Sequence, residues 1–301
     1  MSQSAKSHPP YELRLPWESD PMTKLAFILF AFCSLLGPTV RTTVADAGSE
    51  TRFLQNGVTA HRGNSGEYPE NTMPAFRSGV AVGADWIELD IFITKDGQLV
   101  VTHDQTTGRV GDKNLDVAGS TYEELKTVDV ATDFRKRHQL TKKECPPARM
   151  PLLEEVLKMI KQQHKTRVSI QPKADCVKKA VALVKQLKME PWVGFNDGNL
   201  KYMTQVKQLA PAIPVFWDRG ADTDIDVDIK IAQQRGFAAL VLHHQGITAE
   251  KVRKIKAAGL EPGAWTVNDP AVMKQLLKQG VERIYTDEPA LLLQLKQRQS
   301  E

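Results

Sequence analysis

From residue 57 onward, short runs of β-branched and aromatic residues alternate with longer stretches of helical period, and this rhythm constrains the fold more than any other feature. The strand candidates are residues 57–61, 86–91, 167–171, 192–196, 213–217, 238–242, 262–267 and 282–286. Helical segments are expected at 73–82, 152–162, 177–187, 200–209, 225–234, 249–258 and 271–278, with 288–297 closing the chain. Gly83, Gly236, Gly259 and Gly280 sit where helices end and feed the next strand. Eight strands alternating with helices imply an α/β fold, and eight is the count that closes a (β/α)8 TIM barrel. An open doubly wound sheet is the alternative, but no glycine-rich phosphate loop follows the first strand.

One region breaks the rhythm. After the second strand, the run from Ile93 to Gln98 reads as a hairpin turn and the run from Leu99 to His103 as its return strand. Residues 104–150 then form a long connection with one expected helix at 121–126, so residues 92–150 are an insertion in the barrel domain spanning 57–298. Connections of this length are usually functional.

The N-terminus differs in kind. Lys24 precedes an apolar run at 25–36, ended by Gly37 and Pro38, and Ala45-Asp46-Ala47 has the spacing a signal peptidase reads. Residues 1–47 are therefore expected to be a removable signal segment and 48–56 a linker, with Met22 a second credible start. The run is shorter than the ~20 residues of a spanning helix, so an exported protein, periplasmic or extracellular, is expected, without a stable membrane span after cleavage. An uncleaved N-terminal anchor is the alternative. Residues 1–47 carry four basic side chains (Lys6, Arg14, Lys24, Arg41) and four acidic ones (Glu12, Glu18, Asp20, Asp46), so their removal leaves the net charge at +4. That charge argues against nucleic acid and is compatible with a small anionic substrate. Beyond the leader, Cys145 and Cys176 remain. Both are expected near the catalytic face, so one disulfide is allowed in an exported protein.

In a barrel the reactive groups come from the C-terminal strand ends. His61 and Arg62 end the first strand, and Glu88 and Asp90, two residues apart, point to one side of the second. His103 and Asp104 end the hairpin's return. Gln171 and Lys173 end the third strand and Trp265 the seventh, and Asp287 follows the eighth. Paired carboxylates pointing into a barrel are costly unless a cation compensates them, and oxygen ligands suit Mg2+ or Ca2+ better than zinc. His243-His244 ends the sixth strand and reads as a partly exposed structural pair. Trp192, Phe216 and Trp217 read as core fillers at strand ends, and Lys178-Lys179 and Arg135-Lys136-Arg137 as solvated faces.

Several of these runs resemble one family at once. Ala60-His61-Arg62-Gly63, Pro69-Glu70-Asn71-Thr72, the run from Gly83 to Asp90, Thr94-Lys95-Asp96-Gly97, Thr102-His103-Asp104, Trp265-Thr266-Val267-Asn268 and Tyr285-Thr286-Asp287-Glu288-Pro289 are similar, in order, to glycerophosphodiester phosphodiesterases. The resemblance implies metal-dependent hydrolysis of a glycerophosphodiester to glycerol 3-phosphate and an alcohol. It maps the catalytic histidines onto His61 and His103, the metal ligands onto Glu88, Asp90 and position 171, and the phosphate-binding groups onto Arg62 and Lys173. Trp265 would present a flat apolar face to glycerol, with Glu70, Asn71 and Asp287 in support.

There is one departure. The family has an acid two residues before the phosphate-binding lysine, and this chain has Gln171. An amide oxygen still coordinates a hard cation, but one negative charge is lost, and Asp175 in the adjoining loop is a weak candidate to replace it. Two other readings follow: a phospholipase D-type hydrolase of lysolipids or sphingolipids, and a catalytically weakened phosphate-ester binding protein.

Overall fold

The computed structural model describes residues 53–300. The expected signal segment lies outside the described residues, as does the linker up to residue 52. From residue 53 the chain already packs on the domain. The Phe53 ring meets Trp192 edge-on with centroids 4.8 Å apart, and the Leu54 N–H donates to the Lys165 carbonyl at 3.0 Å.

All eight expected strands are present, with the hairpin return as a ninth. They are β1 (Val58–Ala60), β2 (Trp86–Ile93), β3 (Leu99–Val101), β4 (Arg167–Pro172), β5 (Val193–Asp197), β6 (Val215–Arg219), β7 (Ala239–His243), β8 (Glu261–Trp265) and β9 (Arg283–Thr286). Thr59 of β1 lies opposite Trp86 of β2 on one side and Tyr285 of β9 on the other, so eight parallel strands close on themselves as a (β/α)8 barrel. Only β3 is antiparallel, pairing Val100 with Phe92 outside the ring.

Between the strands run α1 (Met73–Ala81), α2 (Tyr122–Leu125), α3 (Thr132–His138), α4 (Leu153–Gln163), α5 (Val177–Gln186), α6 (Leu200–Leu209), α7 (Ile225–Arg235), α8 (Ala249–Ala257) and α9 (Pro270–Lys278), and α10 (Pro289–Ser300) ends the chain. Alternation along each strand divides the core in two. Ile87, Leu89 and Ile91 of β2 pack outward with the helices, while Trp86, Phe216, Val241 and Tyr285 fill the interior. The Arg283 guanidinium stacks there, 3.8 Å from the Phe216 ring centre and 4.9 Å from that of Trp86. These residues sit at or near strand starts, so the floor of the barrel is plugged and the polar side chains collect at the opposite mouth.

The insertion has its own core of Phe92, Val100, Val117, Leu125, Val128, Val130 and Met150. It holds two helices where one was expected. The α2 helix carries the Thr121/Glu124 capping box, with the Thr121 N–H donating to Glu124 Oε2 at 2.8 Å. The second, α3, reads in sequence as a charged run, and one of its three expected solvated residues is corrected. Arg135 is buried and pairs with Asp129 at 2.5 Å, because Asp129 and the Cys145 carbonyl satisfy its guanidinium. Lys136 and Arg137 are exposed. Trp192 lies in a turn before β5, at the far end from the mouth. The disulfide is also corrected: Cys145 and Cys176 are both free and buried, one beside Phe134 in the insertion and the other in the main core.

Candidate active site

The loop after β1 turns sharply over the carboxylates of β2. Arg62 and Asn71 both adopt left-handed backbone, at φ 55° and 56°, which an arginine seldom accepts without compensation. The compensation is local. The Arg62 N–H donates to Glu88 Oε2 at 3.0 Å, and its carbonyl accepts from the Asn71 N–H at 3.0 Å. Asn71 Nδ2 then donates to Asp90 Oδ2 at 2.9 Å, and Arg62 Nη1 donates to Glu70 Oε1 at 3.0 Å. Asp90 is fully buried, with Lys173 Nζ 3.3 Å from its Oδ1 and Arg62 Nε 3.5 Å from its Oδ2.

The two histidines are built alike. His61 Nδ1 lies 2.7 Å from Asp287 Oδ1, across the seam between β1 and β9. His103 Nδ1 lies 2.7 Å from Asp104 Oδ1, and the hydrogen bond from the Thr102 N–H to the Asp90 carbonyl holds this segment against β2. Their charges are tuned in opposite directions. Burial works against the His61 imidazolium, but the Asp287 bond and the Glu88 charge outweigh it and raise its pKa above the ordinary 6.5. Burial also works against ionised Asp287, yet bonds from His61, Ser65 and Asn268 hold it at about 2. For His103, burial wins, helped by Arg62 against the pull of Asp90, and its pKa is lowered.

A cavity of about 400 Å3 at the barrel mouth is lined by His61, Arg62, Glu88, His103, Gln171, Lys173 and Trp265, among others. Seven of the expected site residues thus face one space. Glu70 and Asp287 border an adjoining cavity of about 290 Å3 that shares His61 and Arg62, while Asp90 and Asn71 stand buried behind the wall. Trp265 meets His243 edge-on with ring centres 5.0 Å apart, so the sixth-strand histidine braces the wall of the site.

Two further residues belong to this constellation. Arg109, from the insertion, donates to both Glu70 oxygens at 2.8 and 2.6 Å and to Asp104 Oδ2 at 2.5 Å. It joins the carboxylate that holds Arg62 to the one that holds His103, and no local pattern marks it in the sequence. Asp218 lines the same cavity, accepts from Gln171 Nε2 at 3.2 Å and from Asn196 Nδ2 at 3.1 Å, and is pushed up to about 8, chiefly by burial. It was legible as a strand-end carboxylate, but the strand was expected to stop one residue earlier.

Among the described residues, no three His, Cys, Asp or Glu side chains are grouped as a metal ion needs. The expected set is two carboxylates and an amide, and its chemistry suits a hard cation: every donor is oxygen. Burial and the Asp90 charge push the Glu88 pKa up, and Asp218 Oδ1 is buried with no hydrogen-bond partner among the described residues. Uncompensated negative charge of this kind is what a divalent cation relieves.

Residues 61–291 match the Glycerophosphoryl diester phosphodiesterase family. The chain belongs to that family. It is a phosphoric diester hydrolase of the glycerophosphodiester phosphodiesterase type. A glycerophosphodiester phosphodiesterase of Caldanaerobacter subterraneus subsp. tengcongensis is 32% identical over 248 residues, covering 79% of this chain and 96% of that relative. The fold is shared with a glycerophosphodiester phosphodiesterase from Agrobacterium tumefaciens (TM-score 0.66, 24% identity, covering 78% of this chain and 97% of that one). It is also shared with an Oleispira antarctica phosphodiesterase in complex with the product sn-glycerol-3-phosphate (TM-score 0.69, 24% identity, 79% and 95% covered). The family match begins at His61 itself, so both histidines, the β2 carboxylates and the insertion lie inside it.

Proposed function

We propose that the protein hydrolyses glycerophosphodiesters to glycerol 3-phosphate and an alcohol, with His61 as general acid and His103 as general base. The observation that carries this reading is the pair of imidazoles, each with Nδ1 on a carboxylate, bordering one cavity with Arg62 and Lys173. Holding Nδ1 leaves Nε2 of each ring for proton exchange. Opposite tuning of the two rings supports these roles: the raised one holds its proton more tightly and the lowered one more loosely.

His103 takes a proton from water as its oxygen attacks phosphorus. The bond from phosphorus to the alcohol oxygen breaks, and His61 gives its proton to that oxygen. Arg62 presents a planar fork, and Lys173 a point charge, to the phosphoryl oxygens as negative charge builds there. Glu88, Asp90 and Gln171 would hold the divalent cation, Mg2+ or Ca2+, which when bound supplies Lewis-acid charge beside the phosphate. The apolar run at 25–36 and the small residues at 45–47 support a place outside the cytoplasm, and the mass of the mature N-terminus tests it.

The deciding experiment assays glycerophosphocholine, glycerophosphoethanolamine and lysophosphatidylcholine with EDTA, Mg2+ and Ca2+, beside His61→Ala. Release of glycerol 3-phosphate from the deacylated diesters is expected with a metal, with kcat reduced ~100- to 10,000-fold in the variant. No release under any metal would return the binding-protein reading, and preference for the lysolipid would favour the phospholipase D-type reading.

A further inference from the structure

Position 171 carries an amide, and a buried carboxyl group, that of Asp218, stands one contact away from it. Ser169, Gln171, Asn196 and Asp218 stand on three neighbouring strands, β4, β5 and β6, and form one hydrogen-bonded ladder. Ser169 Oγ donates to Asn196 Oδ1 at 2.6 Å, which leaves the Asn196 amide nitrogen to donate to Asp218 Oδ2 at 3.1 Å. Gln171 Nε2 donates to the same Asp218 oxygen at 3.2 Å.

An amide has one donor end and one acceptor end. The Gln171 nitrogen is committed to Asp218 Oδ2, which leaves Oε1 as the end free for a cation. The neighbouring register supports that arrangement, because Gln171 of β4 lies directly opposite Asp90 of β2. The second oxygen of Asp218 is buried with no hydrogen-bond partner among the described residues, although the carboxylate lines the same cavity as Glu88. A buried carboxyl oxygen without a partner is costly, and the ladder does not require it, because the other oxygen already satisfies the ladder.

We infer that Asp218 is a positioning residue for the cation site, orienting Gln171 oxygen-first and restoring the negative charge that the glutamine omits. The inference rests on the metal reading of the preceding subsection. It also accounts for the tolerance of an amide at 171. A glutamate there would set a second carboxyl group against Asp218, and the two could not both ionise without opposing each other.

Titration calorimetry with Ca2+ and Mg2+, together with the shift in Tm that each metal produces, tests this without using activity. Wild type, Asp218→Asn, Gln171→Glu and the double variant Gln171→Glu/Asp218→Asn are compared, with circular dichroism as the check on folding. Asp218→Asn is expected to weaken cation affinity roughly 10- to 100-fold, the range for groups that orient a metal ligand. Gln171→Glu alone should gain little or lose affinity. In the double variant the carboxylate stands at 171 and the amide at 218, so affinity should return to the wild-type level or exceed it. If both single changes act independently, so that the double variant is simply their product, the inference is overturned while the metal reading stands. If wild type binds neither metal, both fall.

Discussion

At the scale of single residues, the site depends on groups whose charge is set by burial against a few polar neighbours. Asp287 and Glu88 raise the His61 pKa against the burial that would lower it. As the acid, His61 must be protonated, so activity falls as pH rises through its pKa; as the base, His103 must be neutral, so activity falls as pH drops through its own, lower value. A bell-shaped kcat/KM profile is expected. Asp287→Asn removes the carboxylate charge and should move the alkaline limb to lower pH, leaving the acid limb in place. An unmoved alkaline limb would take the acid role away from His61. The two histidines were readable as candidates from strand-end positions and motif order, and Asp287 as a supporting residue, but the pairing of Asp287 with His61 was not. Asp287 is 226 residues from His61 in the chain and reaches it only because β9 closes against β1.

At the scale of elements, the insertion is tied to the first barrel loop through Arg109. That side chain contacts two carboxylates, and each of those carboxylates holds a residue placed in the reaction. Arg109→Ala should lower kcat ~10- to 100-fold by loosening His103 and Arg62 together. Because only the guanidinium fork spans both partners, Arg109→Lys should recover little. Full activity in the lysine variant would show that charge alone suffices. The α1 helix makes a different demand. A Cβ at Gly79 would stand 2.8 Å from Ile87 Cγ2 and 3.3 Å from the Ala60 side chain, so α1 rests directly on β1 and β2. Gly79→Val is expected to destabilise the fold by about 1–3 kcal/mol, measured by denaturant unfolding. No change in midpoint would mean that α1 shifts without cost. Periodicity located this helix, and α3 escaped the same reading because its apolar partners come from the rest of the insertion rather than from a stripe of its own.

At the scale of the whole molecule, the barrel is filled at one end and charged at the other. Glu88 and Asp218 line the mouth with Asp90 buried behind it, and grouping three carboxyl groups there opposes folding, a cost that the proposed cation would relieve. Adding Mg2+ or Ca2+ should therefore raise Tm, by mass action worth about 2.7 kcal/mol at 100 times Kd, and EDTA should reverse it. A Tm indifferent to both would remove the cation from the site. At the plugged end, Arg283 lies between the Phe216 and Trp86 rings and pairs with Glu261 at 3.1 Å.

Strand alternation and strand-end chemistry are local and repeat eight times along the chain, so the barrel and most of the candidate site were legible in the residues alone. His61, Glu88, Asp90, His103 and Lys173 are each visible from their immediate neighbours. Which carboxylate serves which partner was settled by tertiary packing. The pairings of His61 with Asp287, Arg109 with Glu70 and Gln171 with Asp218 cross 226, 39 and 47 residues, and no local pattern records a contact made by closing a ring.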